Sequence, residues 1–235
     1  TMQEGDQGTD ARGIGTYLFG QGPNGSGIRA YKYSTDMTVN PHTYNSIKTA
    51  AVPHGVGSVW AVMLWDLTWA LIDEYGFDAD IYNGTGGNNI AMTLVVEALK
   101  LQPCSPGFVD GRDAILEADF LLYGGANQCL IWDVFARRGL GVSASQGSSG
   151  STNDGVEAFD TPSAEAEFIA PNDVCIETPV MTGLSGGTPL GGVYSGPGVT
   201  DDGNGMTYTF DPAAAGVGVH TITYSVPETS CAPPS

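Results

Sequence analysis

Apolar residues in the first 140 positions recur every three or four residues, which is the spacing of amphipathic helices. Four such runs can be traced, each closed by a glycine or a proline: 56–72, 88–102, 109–123 and 127–138. Asn88 or Asn89 can cap the second run, and Asn127 stands at the start of the fourth. The pattern therefore predicts a mainly α-helical domain over residues 1–141.

The pattern changes after Gly141. Residues 142–163 are rich in Gly, Ser, Asn and Asp, which predicts a flexible linker. Beyond it, Tyr208 and Phe210 alternate with threonines, and Ile222 and Tyr224 do the same, which is the pattern of half-buried strands. Residues 164–235 are thus expected to form a small all-β, immunoglobulin-like sandwich, so that the chain as a whole is multi-domain.

The net charge of the chain argues against some classes of binding partner. Asp and Glu total 26 against 8 Lys and Arg, a formal net charge of −18. This excess argues against nucleic acid and against anionic membrane surfaces. Asp66 interrupts the most apolar run, so we also expect no membrane span of roughly 20 residues.

The four cysteines fall into two pairs, Cys104 with Cys129 and Cys175 with Cys231, one pair for each predicted domain. None lies in a C-x-x-C motif or beside a histidine, so a zinc site of cysteines is not indicated. Two local disulfides in an oxidising, extracellular environment are favoured over free thiols.

A series of short motifs then supports a family comparison. They are Gly27-Ile28-Arg29, Tyr33-Ser34-Thr35-Asp36-Met37, Gly57-Ser58-Val59-Trp60-Ala61, Gly87-Asn88-Asn89-Ile90-Ala91, Leu101-Gln102-Pro103-Cys104, Arg112-Asp113-Ala114-Ile115, Gly124-Gly125-Ala126-Asn127 and Phe135-Ala136-Arg137-Arg138-Gly139-Leu140-Gly141. They occur in order over about 1–141, and in them the chain resembles the C-terminal lobe of the catalytic domain of secreted fungalysin-type zinc metallopeptidases.

The resemblance implies a gluzincin that hydrolyses peptide bonds in proteins, with zinc held by H-E-x-x-H and a later Glu. This sequence has no H-E-x-x-H, and it lacks the G-E-G-W-x-D stretch in which the family keeps that Glu. We therefore expect the zinc ligands to lie upstream, in another part of a longer secreted precursor, and this chain alone to be inactive. The alternative is a non-catalytic extracellular adhesion or scaffold protein. It rests on residues 191–199 and 218–224, which resemble repeat modules of large secreted bacterial proteins.

Two residues are candidates for the chemistry. The stretch Val52-Pro53-His54-Gly55-Val56 is similar to a family motif whose His donates a hydrogen bond to the oxyanion of the tetrahedral intermediate, so the resemblance implies a catalytic role for His54. Capping the helix or packing against Trp60 is the structural alternative. Arg29 can bind a peptide carboxylate or carbonyl, or it can pair with a nearby aspartate such as Asp36.

The other candidate sites have weaker support in the sequence. The loop from Asp78 to Gly84 offers oxygen ligands for calcium, but no Glu follows at the spacing of a calcium loop, and an ordinary polar turn explains the same residues. His42 and His220 have no acid or nucleophile near them in sequence and are interpreted as structural.

Overall fold

The computed structural model describes residues 3–22, 24–162, 166–188 and 191–226. The chain divides into two compact units, 1–161 and 162–235. The first unit is mainly helical, and the second contains short antiparallel strands. A helical lobe and a small β region are what the hydrophobic pattern predicts.

The described residues of the first unit form four α-helices, and they confirm the four predicted runs. They are α1 (His54–Tyr75), α2 (Gly87–Leu101), α3 (Phe108–Tyr123) and α4 (Gln128–Arg137). Two short 3-10 helices, Thr16–Phe19 and Tyr44–Lys48, precede them. Helix α1 contacts both α2 and α4, and α3 contacts the same two helices.

The core of the first unit is built around α1. Its fully buried apolar residues are Val59, Val62, Met63, Leu67 and Leu71. Asp66 lies within this helix, and α1 is nevertheless long and apolar enough to cross a membrane, with a mean hydropathy of 1.4, which differs from the expectation that Asp66 excludes a span. Half of the most apolar 18-residue stretch of α1 is buried inside the unit, as in the core helix of a globular domain.

The start of α2 differs from the predicted asparagine cap. The helix begins at Gly87, and no side chain caps it. Asn88 instead accepts a hydrogen bond from the Asp78 amide (2.9 Å) and donates one to the Asp78 carbonyl (2.8 Å). Asn89 donates to the carbonyl of Asp80 (2.9 Å). The two asparagines therefore hold the preceding loop rather than the end of the helix.

Residues 142–161 are not the predicted flexible linker, because they pack within the first unit. Isolated bridges join Leu140 to Ala158 and Ser145 to Val156. A Cβ placed on Gly141 would lie 2.4 Å from the carbonyl oxygen of Asp160. The glycines that suggested flexibility instead allow backbones to approach closely.

Seven short strands and one helical turn lie in the described part of the second unit. They are β1 (Glu167–Phe168), β2 (Met181–Leu184), β3 (Gly187–Thr188), β4 (Val193–Ser195), β5 (Val199–Asp201), β6 (Tyr208–Phe210), α5 (Pro212–Ala215) and β7 (Thr223–Ser225). All pair antiparallel, in sheets of order β1–β3, β2–β6–β5 and β4–β7. Among the described residues the strands thus form three small sheets.

Four aromatic residues form the core of the second unit: Tyr194, Tyr208, Phe210 and Tyr224. The alternation predicted around Tyr208 and Phe210 is confirmed, since both are buried in β6 and Thr209 between them is not. Tyr194 and Tyr208 stack with ring centroids 4.5 Å apart.

The predicted disulfide pairs do not form in this structure, because Cys104 and Cys175 are free thiols on the surface. Cys104 precedes α3, whereas Cys129 follows it. A 16-residue helix is about 24 Å long, whereas a disulfide needs Cα atoms within about 7 Å. Cys231, the predicted partner of Cys175, lies outside the described residues.

Candidate functional site

A cavity of about 490 Å³ opens beside the first turn of α1. Its walls come from residues 28–31, from Pro41 and His42, from the short helix Tyr44–Lys48 with the turn after it, and from α1 itself. These segments are separated by up to 30 positions in the sequence, so the cavity exists only in the folded unit.

Both residues predicted for chemistry line this cavity. His54 is the first residue of α1 and is exposed, and Arg29 lies on the 28–31 segment. Their shared location does not depend on the family resemblance, because it follows from the packing of these segments. The roles assigned to the two residues remain predictions.

His42 is the residue that the sequence interpretation missed. It was assigned a structural role, but it lines the same cavity. Its ring stands edge-on to Tyr31, with centroids 4.9 Å apart. Burial lowers the pKa of His42, and the positive charge of Arg138 lowers it further. No periodic spacing relates His42 to Arg29 or His54, so the sequence contains no signal for this placement.

Three buried polar atoms of the cavity wall lack hydrogen-bond partners among the described residues. They are Arg29 Nε, His42 Nδ1 and Ser58 Oγ. The other arginines, Arg12, Arg112, Arg137 and Arg138, all form ion pairs, whereas Arg29 forms none with any residue that the structure describes. Buried polar groups are normally paired, so these three atoms are exceptions to that rule.

A buried ion pair holds the wall that carries His42. Arg138 is fully buried, and its Nε and Nη2 donate to the Asp66 carboxylate at 2.7 and 3.2 Å. Its guanidinium also donates to the carbonyls of Ser34 (3.2 Å) and His42 (3.0 Å), and to that of Asn40. The loop over residues 34–42 is therefore tied to α1 and α4 by one side chain.

The zinc site implied by the family resemblance does not fit the residues of this chain. In the ranges that the structure describes, no group of three or more His, Cys, Asp or Glu side chains is placed to hold a metal ion. His42 and His54 line the cavity without a carboxylate or thiol beside them. We therefore assign no metal ligand here.

The loop considered for calcium uses its carboxylates internally. Asp78 accepts hydrogen bonds from the amides of Asp80 (2.9 Å) and Thr85 (3.1 Å). Asp80 accepts from the amides of Asn83 and Tyr82, both at 3.0 Å, and these bonds lower its pKa. The polar-turn interpretation accounts for all these contacts.

The first unit is similar to proteins of a known family. A family model described as fungalysin metallopeptidase (M36) matches residues 1–144, more than half of the chain. An extracellular metalloproteinase MEP of Fusarium vanettenii is 46% identical over 157 residues, which cover 64% of this chain and 24% of that protein. An extracellular metalloproteinase of Pyrenophora tritici-repentis is 44% identical over 155 residues, 62% of this chain and 23% of that protein.

A third relative, an extracellular metalloproteinase MEP of Neosartorya fischeri, is 49% identical over 124 residues, 50% of this chain and 20% of that protein. The chain thus spans only between a fifth and a quarter of the length of these relatives. The matched region contains α1 to α4 and the whole cavity. The chain belongs to the fungalysin metallopeptidase (M36) family.

Proposed function

We propose that this chain supplies the helical lobe of a secreted zinc metalloendopeptidase, with zinc held by residues outside these 235. Family membership supports the reaction class. The relatives are named extracellular metalloproteinases, which supports an extracellular location and protein or peptide substrates. The upstream part of the same precursor is then the partner that completes the active site.

The observation that carries the proposal is the shared cavity of Arg29 and His54. Arg29 is a cation without an ion pair among the described residues, so it can bind a substrate carbonyl or carboxylate. His54 is exposed and lines the cavity, where its imidazole can donate a hydrogen bond to the substrate oxygen that becomes negative during the reaction. Such a donor stabilises the transition state more than the ground state.

The test is the His54→Ala variant of the longer protein that carries the zinc site. A lost oxyanion donor typically lowers kcat by about a hundredfold, while KM and zinc content should change little. His220→Ala is the matched control, because His220 lies in the second unit and contacts the Gly216 carbonyl. Steady-state kinetics on a fluorogenic peptide and metal analysis separate the outcomes. An unchanged kcat for His54→Ala would remove this residue from the mechanism.

For the second unit we propose an immunoglobulin-like spacer or attachment module rather than a part of the active site. Its purely antiparallel strands and its compact aromatic core support this assignment. Removing residues 162–235 from the longer protein should leave kcat/KM for a short peptide unchanged. A large loss on the short peptide would mean that the second unit takes part in catalysis. An intact protein without any peptidase activity would favour the adhesion or scaffold alternative.

A further inference from the structure

The second unit has an open groove of about 920 Å³. Residues 170–177, which follow β1, line one part of it, and residues 216–222, which precede β7, line another. Phe168, Phe210 and Pro212 also contribute to its surface. All of these residues belong to the second unit, so the groove is a feature of that unit alone.

The groove exposes aliphatic side chains that the core of the unit does not use. Val217 and Val219 are 87% and 103% exposed, and Val174 and Ile176 on the other segment are 37% and 42% exposed. The core of the unit consists of aromatic side chains instead. Single exposed apolar residues are common, but several that share one groove mark an interaction site.

The backbone beside the groove is also unpaired. Among the described residues, the N–H and C=O groups of residues 171–174 and 217–221 form no hydrogen bonds. The strand that follows, β7, pairs with β4. Unpaired backbone at the surface is the template on which an extended peptide can add a strand, with main-chain hydrogen bonds supplying affinity.

The charge of the second unit restricts the partner. All eight Lys and Arg residues of the chain occur at or before Arg138, whereas eight of the 26 acidic residues lie in 162–235. Two of these, Asp173 and Glu177, are exposed and line the groove. Such a surface attracts cationic partners. A second copy of this chain, with a net charge of −18, is repelled.

We propose that this groove binds an extended segment of a basic partner protein, in which apolar side chains alternate with Lys or Arg. Successive side chains of an extended segment point to opposite sides, so the apolar ones can contact Val217 and Val219 while the cations remain near Asp173 and Glu177. The backbone of the segment pairs with residues 217–221. The inference rests on the attachment role proposed for the second unit, and it names the chemistry of the partner.

The experiment measures how peptides protect Cys175 of the purified 235-residue chain from iodoacetamide, because Cys175 is an exposed free thiol that lines the groove. Cys104, an exposed free thiol of the first unit, is the internal control. The probes are N-acetyl-Lys-Val-Lys-Val-Lys-Val-Lys-amide, an acidic counterpart with Glu for Lys, and a polar counterpart with Ser for Val. We expect the first peptide to protect Cys175 but not Cys104, and to bind about tenfold or more tightly than either counterpart.

N-methylated peptides test the main-chain hydrogen bonds. Methylation of all valine amides removes the donors from one edge of the extended basic peptide, and methylation of all lysine amides removes them from the other edge. The side chains are the same in both. Pairing with residues 217–221 requires that at least one of the two methylated peptides binds about tenfold or more weakly than the parent peptide. Unchanged affinity for both would overturn the proposed strand pairing.

A first variant tests the apolar contact. Val219→Ser should weaken the basic apolar peptide about threefold or more. Val219 is fully exposed, so this change leaves the core of the unit intact. Val180→Ser is the matched control, because Val180 is 53% exposed in the same unit and does not line the groove. Equal losses for the two variants would contradict the assignment.

A second variant tests the charges. Asp173→Asn combined with Glu177→Gln should weaken the same peptide about two- to fivefold, since exposed ion pairs contribute little each. Glu167→Gln is the control, because Glu167 is an exposed carboxylate of the same unit outside the groove. Circular dichroism checks that each variant folds. An unchanged affinity for the double variant would remove the charge complementarity from the inference.

Other occupants of the groove give different results. Equal protection by the three peptides, no protection by any, or equal protection of Cys175 and Cys104 would overturn the inference. Binding only by a chain that ends at Val226 would assign the groove to residues 227–235 and would also overturn it. A dimer of this chain that Val219→Ser dissociates would assign the groove to a second copy. None of these results decides the proposal that the second unit lies outside the active site, which removal of residues 162–235 from the longer protein tests.

Discussion

The two units fill their interiors in different ways. The first unit packs α2 and α4 against α1, with α3 against both of them, and it also buries a carboxylate and a guanidinium, Asp66 and Arg138. The second unit closes around four aromatic side chains between strands of two to four residues. Long helices bring distant segments together with enough precision to shape a cavity, whereas the short sheets enclose only a small core. Both residues that the sequence predicts for chemistry, Arg29 and His54, lie in the first unit.

The largest expected effect concerns the buried charges of the first unit. Asp66→Ala leaves Arg138 charged and buried without its partner, so it should lower the free energy of unfolding by about 3–5 kcal/mol. Asp73→Ala is the control, because Asp73 lies on the same helix but is exposed and should change stability by less than about 0.5 kcal/mol. Urea denaturation measures both. Equal losses would mean that the ion pair does not organise the first unit.

Replacing either of two glycines of the first unit by alanine should change stability, but in opposite directions. A Cβ on Gly87 would lie 2.0 Å from the carbonyl oxygen of Leu71, whereas a Cβ on Gly57 in α1 meets no atom within 4 Å. Gly87→Ala should therefore cost about 1–3 kcal/mol by overpacking the contact of α2 with α1. Gly57→Ala should add about 0.5–1 kcal/mol through helix propensity. Thermal unfolding that shows the same sign for both would contradict this packing.

In the second unit, the buried tyrosines Tyr194 and Tyr208 differ in the partners of their hydroxyl groups. The Tyr194 hydroxyl accepts from the Gly187 amide (2.9 Å) and donates to the Met206 carbonyl (3.3 Å). The Tyr208 hydroxyl is buried and has no partner among the described residues. Tyr194→Phe should cost about 1 kcal/mol, whereas Tyr208→Phe should be neutral or stabilising. The urea concentration at which a protease begins to cleave within residues 162–235 measures the stability of both variants. A greater loss of stability for Tyr208→Phe than for Tyr194→Phe would contradict these hydroxyl contacts.

The smallest effect is a pH dependence of the first unit. The pKa of His42 is lowered in the folded protein by burial and by Arg138, whereas the unfolded chain titrates near the ordinary value of about 6.5. The stability that His42 contributes is therefore present above that value and is lost as the pH falls through the folded-state pKa, because the unfolded state binds the proton more readily.

Urea midpoints measured between about pH 7.5 and pH 5 should therefore fall more for the native chain than for His42→Leu. His54 is the other histidine that lines the cavity. His54→Ala measured in parallel subtracts its contribution. If the urea midpoint depends on pH in the same way for the native chain and for His42→Leu, His42 is not desolvated in the cavity wall.

The sequence by itself determined the helices and the family of this protein. Apolar residues three and four positions apart define α1 to α4, because one face of each helix must be buried against the others. The ordered motifs over residues 1–141 identified the fungalysin family, and they singled out Arg29 and His54. Local pattern was sufficient in these cases, since helix periodicity and short motifs are properties of neighbouring residues.

Only the tertiary structure decided which distant residues meet. Asp66 and Arg138 are 72 positions apart, and no local pattern marks them as partners or shows that their pair holds the loop of His42. The glycine-rich segment 142–161 has the composition of a linker, yet the space around Gly141 shows close packing. Cys104 and Cys129 flank one helix, and its length keeps them apart. Contacts of this kind depend on the distances between whole elements, which packing sets and which composition and spacing do not encode.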